Sequence, residues 1–192
     1  MYTVNLFLLF PLFFAASVLA DSPLTSTPFA YAYEGEEMVM HVKKNGLDEK
    51  ALDYLGSKKT NPVIKIAIIN QLSWGNMEYT QQFQKYLIKE RKVKEKAFDY
   101  LRNMEGIDTK ENKWTKKLRA DDLMCWGYLY ALGNYFNPKM SISAAELGMQ
   151  REPGSMAHAA VYALIAGQVA FDVSWCEIYK IGQQYFVNTE YD

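Results

Sequence analysis

Residues 155–171 read SMAHAAVYALIAGQVAF, which is apolar on almost every side of a helix. Residues 121–133, DDLMCWGYLYALG, show the same pattern behind two acidic residues that favour the positive end of a helix dipole. A helix without a polar face belongs in the middle of a core. His158, Gln168 and Asp172 argue against a membrane span over 155–171, because polar groups are costly in lipid. The two segments therefore predict an all-α protein with buried central helices.

The surrounding sequence predicts further helices. Asn61-Pro62 begins an isoleucine-rich segment with a capping residue and a proline suited to the first helical position. Asp48 is placed to cap a short helix that Gly56 ends. With 192 residues and 49% apolar side chains, the chain is too apolar for disorder and fits one domain. Helices are expected over residues 34–44, 48–55, 62–72, 77–92, 95–103, 121–133, 155–171 and 174–186.

A seven-residue sequence occurs twice, 46 residues apart. EKALDYL (49–55) and EKAFDYL (95–101) share six residues of seven, and each precedes an apolar helix. Residues 144–150 followed by 155–168 are a degenerate third pair. This alternation resembles the helical repeats of HEAT and armadillo proteins. We therefore predict one helical domain over residues 34–192, either a short HEAT-like stack of helix pairs or an irregular helical bundle.

The first 33 residues indicate export. Residues 1–20 (MYTVNLFLLFPLFFAASVLA) have no charged side chain and end in small residues, which is typical of a secretory signal peptide. A retained anchor is the alternative, because the length just permits a span. Residues 21–33 are rich in Ser, Thr and Pro and predict an extended leader. We expect a periplasmic or extracellular protein with no membrane span after signal cleavage.

Export also bears on the two cysteines, Cys125 and Cys176. In an oxidising compartment such a pair tends to form a bridge. Closing a loop of about 50 residues would stabilise the fold by ~4 kcal/mol if the bridge is unstrained. We therefore predict a disulfide between Cys125 and Cys176, with two separate thiols as the alternative.

Charge is unevenly distributed, although the formal net charge is only −1. Residues 85–119 hold 12 Lys or Arg against 6 Asp or Glu, and both flanking regions are acidic. The segment suits an anionic partner, and a solvated helix face is the simpler alternative. The overall charge is not that of a typical nucleic-acid-binding protein, so no nucleic acid is expected. The candidate anion-binding residues are Lys85, Lys89, Lys92, Lys94, Lys96, Trp114, Lys116, Lys117 and Arg119.

Metal-binding and cofactor-binding patterns are weak. Glu34, Glu37 and His41 share one helical face, but their Glu-x-x-x-His spacing differs from that of carboxylate-bridged helical metal sites. A solvated acidic face is therefore expected there, and no metal. The sequence contains no Gly-rich phosphate loop and no HExxH, CxxC or GxSxG motif, so no cofactor is expected.

Catalytic candidates are acidic residues and one histidine. Asp121, Asp122, Glu146 and Glu152 could supply the carboxylate pair of a glycosidic hydrolase, but their spacing singles out no pair. His158 and Asp172 would lie about 21 Å apart along a continuous helix, too far for a base and its orienting group. His158 is therefore interpreted as a helix-start residue or a satisfied buried histidine.

The C-terminal third contains CWGYL at residues 125–129, an Ala-rich helix over 157–167 and then Cys176. Over residues 120–180 this resembles the small periplasmic immunity proteins that neutralise amidase effectors of type VI secretion. The resemblance implies an exported, helical, disulfide-containing protein that blocks a toxin enzyme and has no activity of its own. It does not extend to the first hundred residues, and no inhibitory residue is carried over from it.

We therefore predict an exported, non-enzymatic helical protein that binds another macromolecule, with a protein as its partner. An immunity-type inhibitor is one form of this function. A carboxylate-dependent hydrolase of the cell envelope is one alternative. A binder of an anionic envelope polymer through residues 85–119 is the other.

Overall fold

The computed structural model describes residues 22–72, 74–103, 112–171 and 173–186, so the predicted signal sequence lies outside the described residues. Regular structure in the described part of the chain is helical throughout, which confirms the all-α prediction. The helices are α1 (Pro23–Ser26), α2 (Phe29–Ala32), α3 (Glu37–Asn45), α4 (Glu49–Gly56), α5 (Pro62–Gln71), α6 (Met77–Arg91), α7 (Lys96–Asn103), α8 (Ala120–Gly133), α9 (Ile142–Arg151), α10 (Met156–Phe171) and α11 (Trp175–Phe186), with a 3-10 helix at Pro138–Ser141 before α9.

Side-chain caps start several of these helices where the sequence predicts them. The Asp48 carboxylate accepts the Ala51 amide at 3.0 Å at the start of α4. The Asn61 side chain accepts the Val63 amide at 2.9 Å at the start of α5, with Pro62 in the first turn. Each cap supplies an acceptor for an amide that has no partner within its helix.

Two central helices, α8 and α10, form the middle of the core. All residues of α8 from Asp122 to Leu132 are buried, and α8 packs against α5, α6, α9 and α10. Gly127 permits the close contact with α9, because a Cβ at that position would lie 3.2 Å from the Ala145 amide nitrogen. The third apolar helix, α5, also packs on both central helices. The two segments that predict an all-α core are therefore its centre.

The described part of the leader, residues 22–33, is packed rather than extended. Its helices α1 and α2 contact α10 and α5 respectively. Leu24 is completely buried, and the Ala30 amide donates to the Asn70 side chain at 3.0 Å. The physical reason for the difference is that Ser22 caps α1 and Pro23 occupies its first turn, so that Leu24 turns inward.

The predicted disulfide is wrong. Cys125 is a free thiol buried in the middle of α8, whereas Cys176 is a free, exposed thiol at the start of α11. The helix α11 packs on α10, but Cys176 is exposed to solvent. A buried thiol and a surface thiol cannot meet without unpacking a helix.

The two copies of the repeated sequence form α4 and α7, both short and amphipathic. Their surroundings differ, because α4 contacts α3, α6 and α8, whereas α7 contacts α9 and the 3-10 helix. A HEAT-like repeat therefore stays a prediction.

Among the described residues no helix combines the length and apolar character that a bilayer span requires.

Candidate functional site

The starts of α5, α8 and α10 meet at a cleft of about 590 Å³. We call it the N-terminal cleft, because three helix N-termini, each the positive end of a helix dipole, surround it. Its charged and polar wall includes Lys58, Arg119, Asp121, Glu152, Ser155 and His158. The volume falls within the range of small-molecule sites, which is roughly 300–1,000 Å³.

At this cleft the Asp121 carboxylate contacts two buried side chains, Lys65 and His158. One carboxylate oxygen pairs with the Lys65 ammonium, and the other lies 3.2 Å from the His158 Nε2. Lys65 is completely buried and also donates to the Ser57 carbonyl at 2.6 Å. A buried lysine needs such partners, because an uncompensated charge in the interior is strongly destabilising.

His158 continues the array towards the cleft. Its Nδ1 lies 2.9 Å from the Ser155 hydroxyl oxygen, and the imidazole is only 1% exposed. Its Nε2 is at ion-pair distance from Asp121 but off the line of a good hydrogen bond. The groups thus follow the order Ser155, His158, Asp121, Lys65, with Ser155 at the cleft and Lys65 in the core.

The electrostatics keep Asp121 ionised. Burial alone would raise the pKa of Asp121, but the contacts with His158 and Lys65 outweigh burial and lower it. A carboxyl group with a lowered pKa has no proton to donate near neutral pH. Asp121 can therefore orient a histidine or hold a lysine, but it cannot act as the general acid of a glycosidase.

Asp122 points the other way, into the protein. It is completely buried and accepts from Arg91 at 2.8 and 3.0 Å and from Arg119 at 2.8 and 3.2 Å. Both arginines also donate to the carbonyl of Gly56 at the end of α4. This cluster ties α4, α6 and the start of α8 together, so its role is structural.

The four carboxylates of the hydrolase hypothesis are dispersed. Only Asp121 and Glu152 line the N-terminal cleft. Asp122 is held by the two arginines. Burial raises the pKa of the Glu146 carboxyl on α9, but Glu146 is not part of the cleft wall. The cleft therefore pairs a carboxylate with a histidine and a serine rather than with a second carboxylate of raised pKa.

On the acidic face near the chain start, His41 and Glu37 pair with two different residues. His41 Nε2 lies 2.8 Å from Asp48, and Glu37 accepts from Lys50 at 3.0 Å. In the described ranges no group of three or more His, Cys, Asp or Glu side chains is arranged to hold a metal ion. Asp172, which the sequence places too far along the helix to orient His158, lies outside the described residues.

The basic region is spread over several environments. The lysines at 85, 89, 92, 94, 96, 116 and 117 are exposed. The Lys96 and Lys113 ammonium groups lie 5.5 and 4.9 Å from the centre of the half-buried Trp114 ring. Lys117 donates to the Lys92 carbonyl at 3.2 Å, and the Arg119 guanidinium is bound to Asp122. Arg119 is thus a structural residue, and only part of the region is free to face a partner.

A second surface feature lies where α8 and α10 end. Trp74, Tyr135 and Phe136 form one aromatic cluster, with ring centres 5.0 Å apart for Trp74–Tyr135 and 5.3 Å for Tyr135–Phe136. Phe171 and Trp175 form another, with centres 5.2 Å apart. A groove of about 330 Å³ between the clusters is lined by Tyr135, Phe136 and Phe171. We call these five aromatic residues the aromatic rim.

Partial signals for these sites are present in the sequence. Lys65 is the one charge in the apolar sequence of α5, which is a sign of a buried partner, and Ser155 stands three residues before His158 at a helix start. The aromatic rim has no sequence signature, because its members are spread from residue 74 to residue 175.

Comparison with protein-family models, curated proteins and solved structures finds no match to this chain.

Proposed function

We propose that the protein is exported and acts by binding another protein at the aromatic rim. The export part rests on residues 1–20, whose charge-free apolar sequence ending in small residues is typical of a signal peptide. The binding part rests on the rim. An inhibitor of the immunity type is the specific form that the resemblance over residues 120–180 favours.

The observation that carries the binding proposal is the exposure of large aromatic side chains. Phe136 is 87% exposed, Trp175 62% and Trp74 52%. Leaving such side chains in water forgoes about 1.5–3 kcal/mol of burial energy each, so a contiguous group of them marks an interaction surface. Aromatic residues are also enriched among the residues that dominate binding energy at protein interfaces.

The groove within the rim suits a polypeptide partner. It offers apolar walls together with Asn137, and Lys139 is the one charged side chain among its described lining residues. A lipid surface or an anionic polymer would call for a cluster of cationic side chains instead. The rim therefore favours a protein segment with apolar side chains over the anionic-polymer alternative.

Affinity purification from the exported fraction of the native host tests this proposal. The bait is the mature chain, compared with the double variant Phe136→Ser/Trp175→Ser and with Tyr31→Ser, a matched change of an aromatic that is 74% exposed outside the rim. We expect a protein that is captured by the parent chain and by Tyr31→Ser, and at least about tenfold less by the double variant.

Equal capture by the double variant would contradict the rim as the binding site. Capture that disappears when salt is raised, with the rim variant unaffected, would instead indicate residues 85–119. Circular dichroism of all three proteins shows whether the variants keep the helical fold.

A further inference from the structure

The geometry of the N-terminal cleft points to a chemical activity beyond the proposed binding: we propose that Ser155 is a nucleophile that takes an acyl group from a carboxylic ester. His158 is the general base, and Asp121 is a positioning residue that acts through His158. This departs from the expectation of a non-enzymatic protein. It does not depend on the aromatic rim, which lies at the other ends of α8 and α10.

The relative positions of the three side chains carry the proposal. The Ser155 Oγ lies 2.9 Å from the His158 Nδ1, which is within reach of a proton transfer. The opposite ring nitrogen lies 3.2 Å from the Asp121 carboxylate, at ion-pair distance but not aligned as a hydrogen bond. A hydroxyl, an imidazole and a carboxylate in this order define the serine nucleophile systems of several unrelated folds. Here Nδ1 rather than Nε2 faces the serine.

The surroundings suit the reaction. Ser155 is partly exposed and lines the cleft, while His158 behind it is shielded from water. The first-turn amides of α10 follow Ser155 directly and lack acceptors within the helix, so they can stabilise a negatively charged carbonyl oxygen. Pro62, Val63 and Met156 provide an apolar wall for a short acyl chain.

Lys65 limits the reactivity that we expect of this site. Its ammonium shares the Asp121 carboxylate with His158, which fixes the carboxylate but weakens its stabilisation of an imidazolium. We therefore expect reaction with activated esters, whose leaving groups depart readily. Unactivated amides are not expected to react.

The proposed reaction has two stages, acylation of Ser155 and hydrolysis of the acyl-serine. The Ser155 oxygen forms a bond to the ester carbonyl carbon while its proton moves to the His158 Nδ1. The carbonyl carbon–oxygen bond to the alcohol then breaks, and the alcohol leaves with the proton from His158. Water, activated by His158 in the same way, attacks the acyl-serine and releases a carboxylic acid, which restores the hydroxyl of Ser155.

Labelling with a fluorophosphonate probe, followed by peptide mass spectrometry, is the first test. Ser174 is a matched internal control, because it also precedes a helix. Among the described residues its hydroxyl accepts the Cys176 amide at 3.2 Å and is not hydrogen-bonded to a histidine. We expect an adduct on Ser155, none on Ser174, and loss of the adduct in Ser155→Ala and His158→Gln. Absence of the Ser155 adduct in the folded parent protein would overturn the proposal.

A second test stays informative if His158→Gln fails to fold. In a Cys176→Ser background, the thiols introduced by Ser155→Cys and by Ser174→Cys both stand at helix starts, and only the first adjoins a histidine. We expect iodoacetamide to alkylate the first at least about tenfold faster at pH 7, because the imidazole removes its proton. Equal rates would overturn the role of His158.

The positioning role of Asp121 needs a readout that folding alone does not change. Long-range proton–nitrogen NMR spectra of the His158 ring report which nitrogen carries the proton. We expect the proton on Nε2 in the parent protein and a mixture of tautomers in Asp121→Asn, together with at least about tenfold slower fluorophosphonate labelling. An unchanged tautomer with an unchanged labelling rate would contradict this role.

Discussion

At the scale of single residues, Asp122 shows how a completely buried carboxylate is tolerated. Two guanidinium groups and the Arg119 amide, which donates at 2.9 Å, satisfy its oxygens. Burial alone would raise the pKa of Asp122, but the hydrogen bonds from Arg91 and Arg119 outweigh burial and lower it. The carboxylate therefore remains charged and holds three segments of the chain in place.

We expect Asp122→Asn to lower the free energy of unfolding by about 3 kcal/mol, because it leaves two arginines without a buried counter-charge. Urea denaturation at pH 7 measures this change. The control is Asp99→Asn, which removes an exposed carboxylate that Arg102 contacts at 2.6 Å. That pair is expected to contribute less than about 1 kcal/mol. If Asp122→Asn lowered the free energy of unfolding by as little as the Asp99→Asn control is expected to, the stabilising role of the Asp122 cluster would be contradicted.

The same cluster predicts a direction for the pH dependence of stability. A folded pKa below the unfolded value of about 3.9 gives stability that is complete above the unfolded value and is lost as the pH falls through the folded value. The difference in unfolding free energy between the parent and Asp122→Asn should therefore shrink below about pH 4. A difference that grows on acidification would contradict the lowered pKa of Asp122.

At the scale of helices, hydrophobic pattern and capping residues were sufficient for most of the fold. The helices α5 and α8 stand where their apolar runs begin, and Asp48 and Asn61 cap as predicted. The sequence does not predict the short helices α1 and α2, because four residues are too few for a periodic signal and Leu24 is buried only by contact with distant residues. Tertiary packing, rather than local preference, forms them.

The docking of α1 gives a prediction at this scale. Leu24 is completely buried, and Pro23 lies over Gly167, where a Cβ would come within 3.3 Å of the proline ring. We expect Leu24→Ala to cost about 3 kcal/mol, the usual effect of deleting a buried leucine side chain. The control Tyr31→Ala, at a residue 74% exposed, should change stability by less than about 0.5 kcal/mol.

Thermal and urea unfolding of both variants measure these effects. A Leu24→Ala protein as stable as the parent would indicate that α1 is not packed on α10 in solution and that the segment is extended, as its composition predicts.

At the scale of the whole molecule, the two central helices run in the same direction between the two candidate sites. Both α8 and α10 begin at the N-terminal cleft, and the aromatic rim follows their C-terminal ends. At 1.5 Å per residue, Ser155 and Phe171 are separated by about 24 Å along the axis of α10. The helices that decide the fold thus also separate the proposed chemistry from the proposed binding surface. The sequence could place these helices, but not the side chains that meet at their ends, because Asp121 and His158 are distant in the chain.

The reactivity of the two thiols tests the packing of α8 and α11, because Cys125 lies inside the molecule and Cys176 lies on its surface. Burial raises the pKa of the Cys125 thiol, which disfavours the reactive thiolate. We expect one thiol per chain to react with Ellman's reagent in the native protein and two after denaturation without reductant. In Cys176→Ser no thiol should react until the protein unfolds.

This experiment distinguishes the two free thiols of the structure from the Cys125–Cys176 disulfide that export alone predicts. If Cys125 and Cys176 were bridged, no thiol would react before or after denaturation, and a reductant would lower the melting temperature, since opening a loop of about 50 residues would cost ~4 kcal/mol. With a free buried thiol and a free surface thiol, a reductant has no bond to break and the melting temperature should stay constant. A reductant-sensitive melting temperature would therefore show that α8 and α11 pack differently in the exported protein.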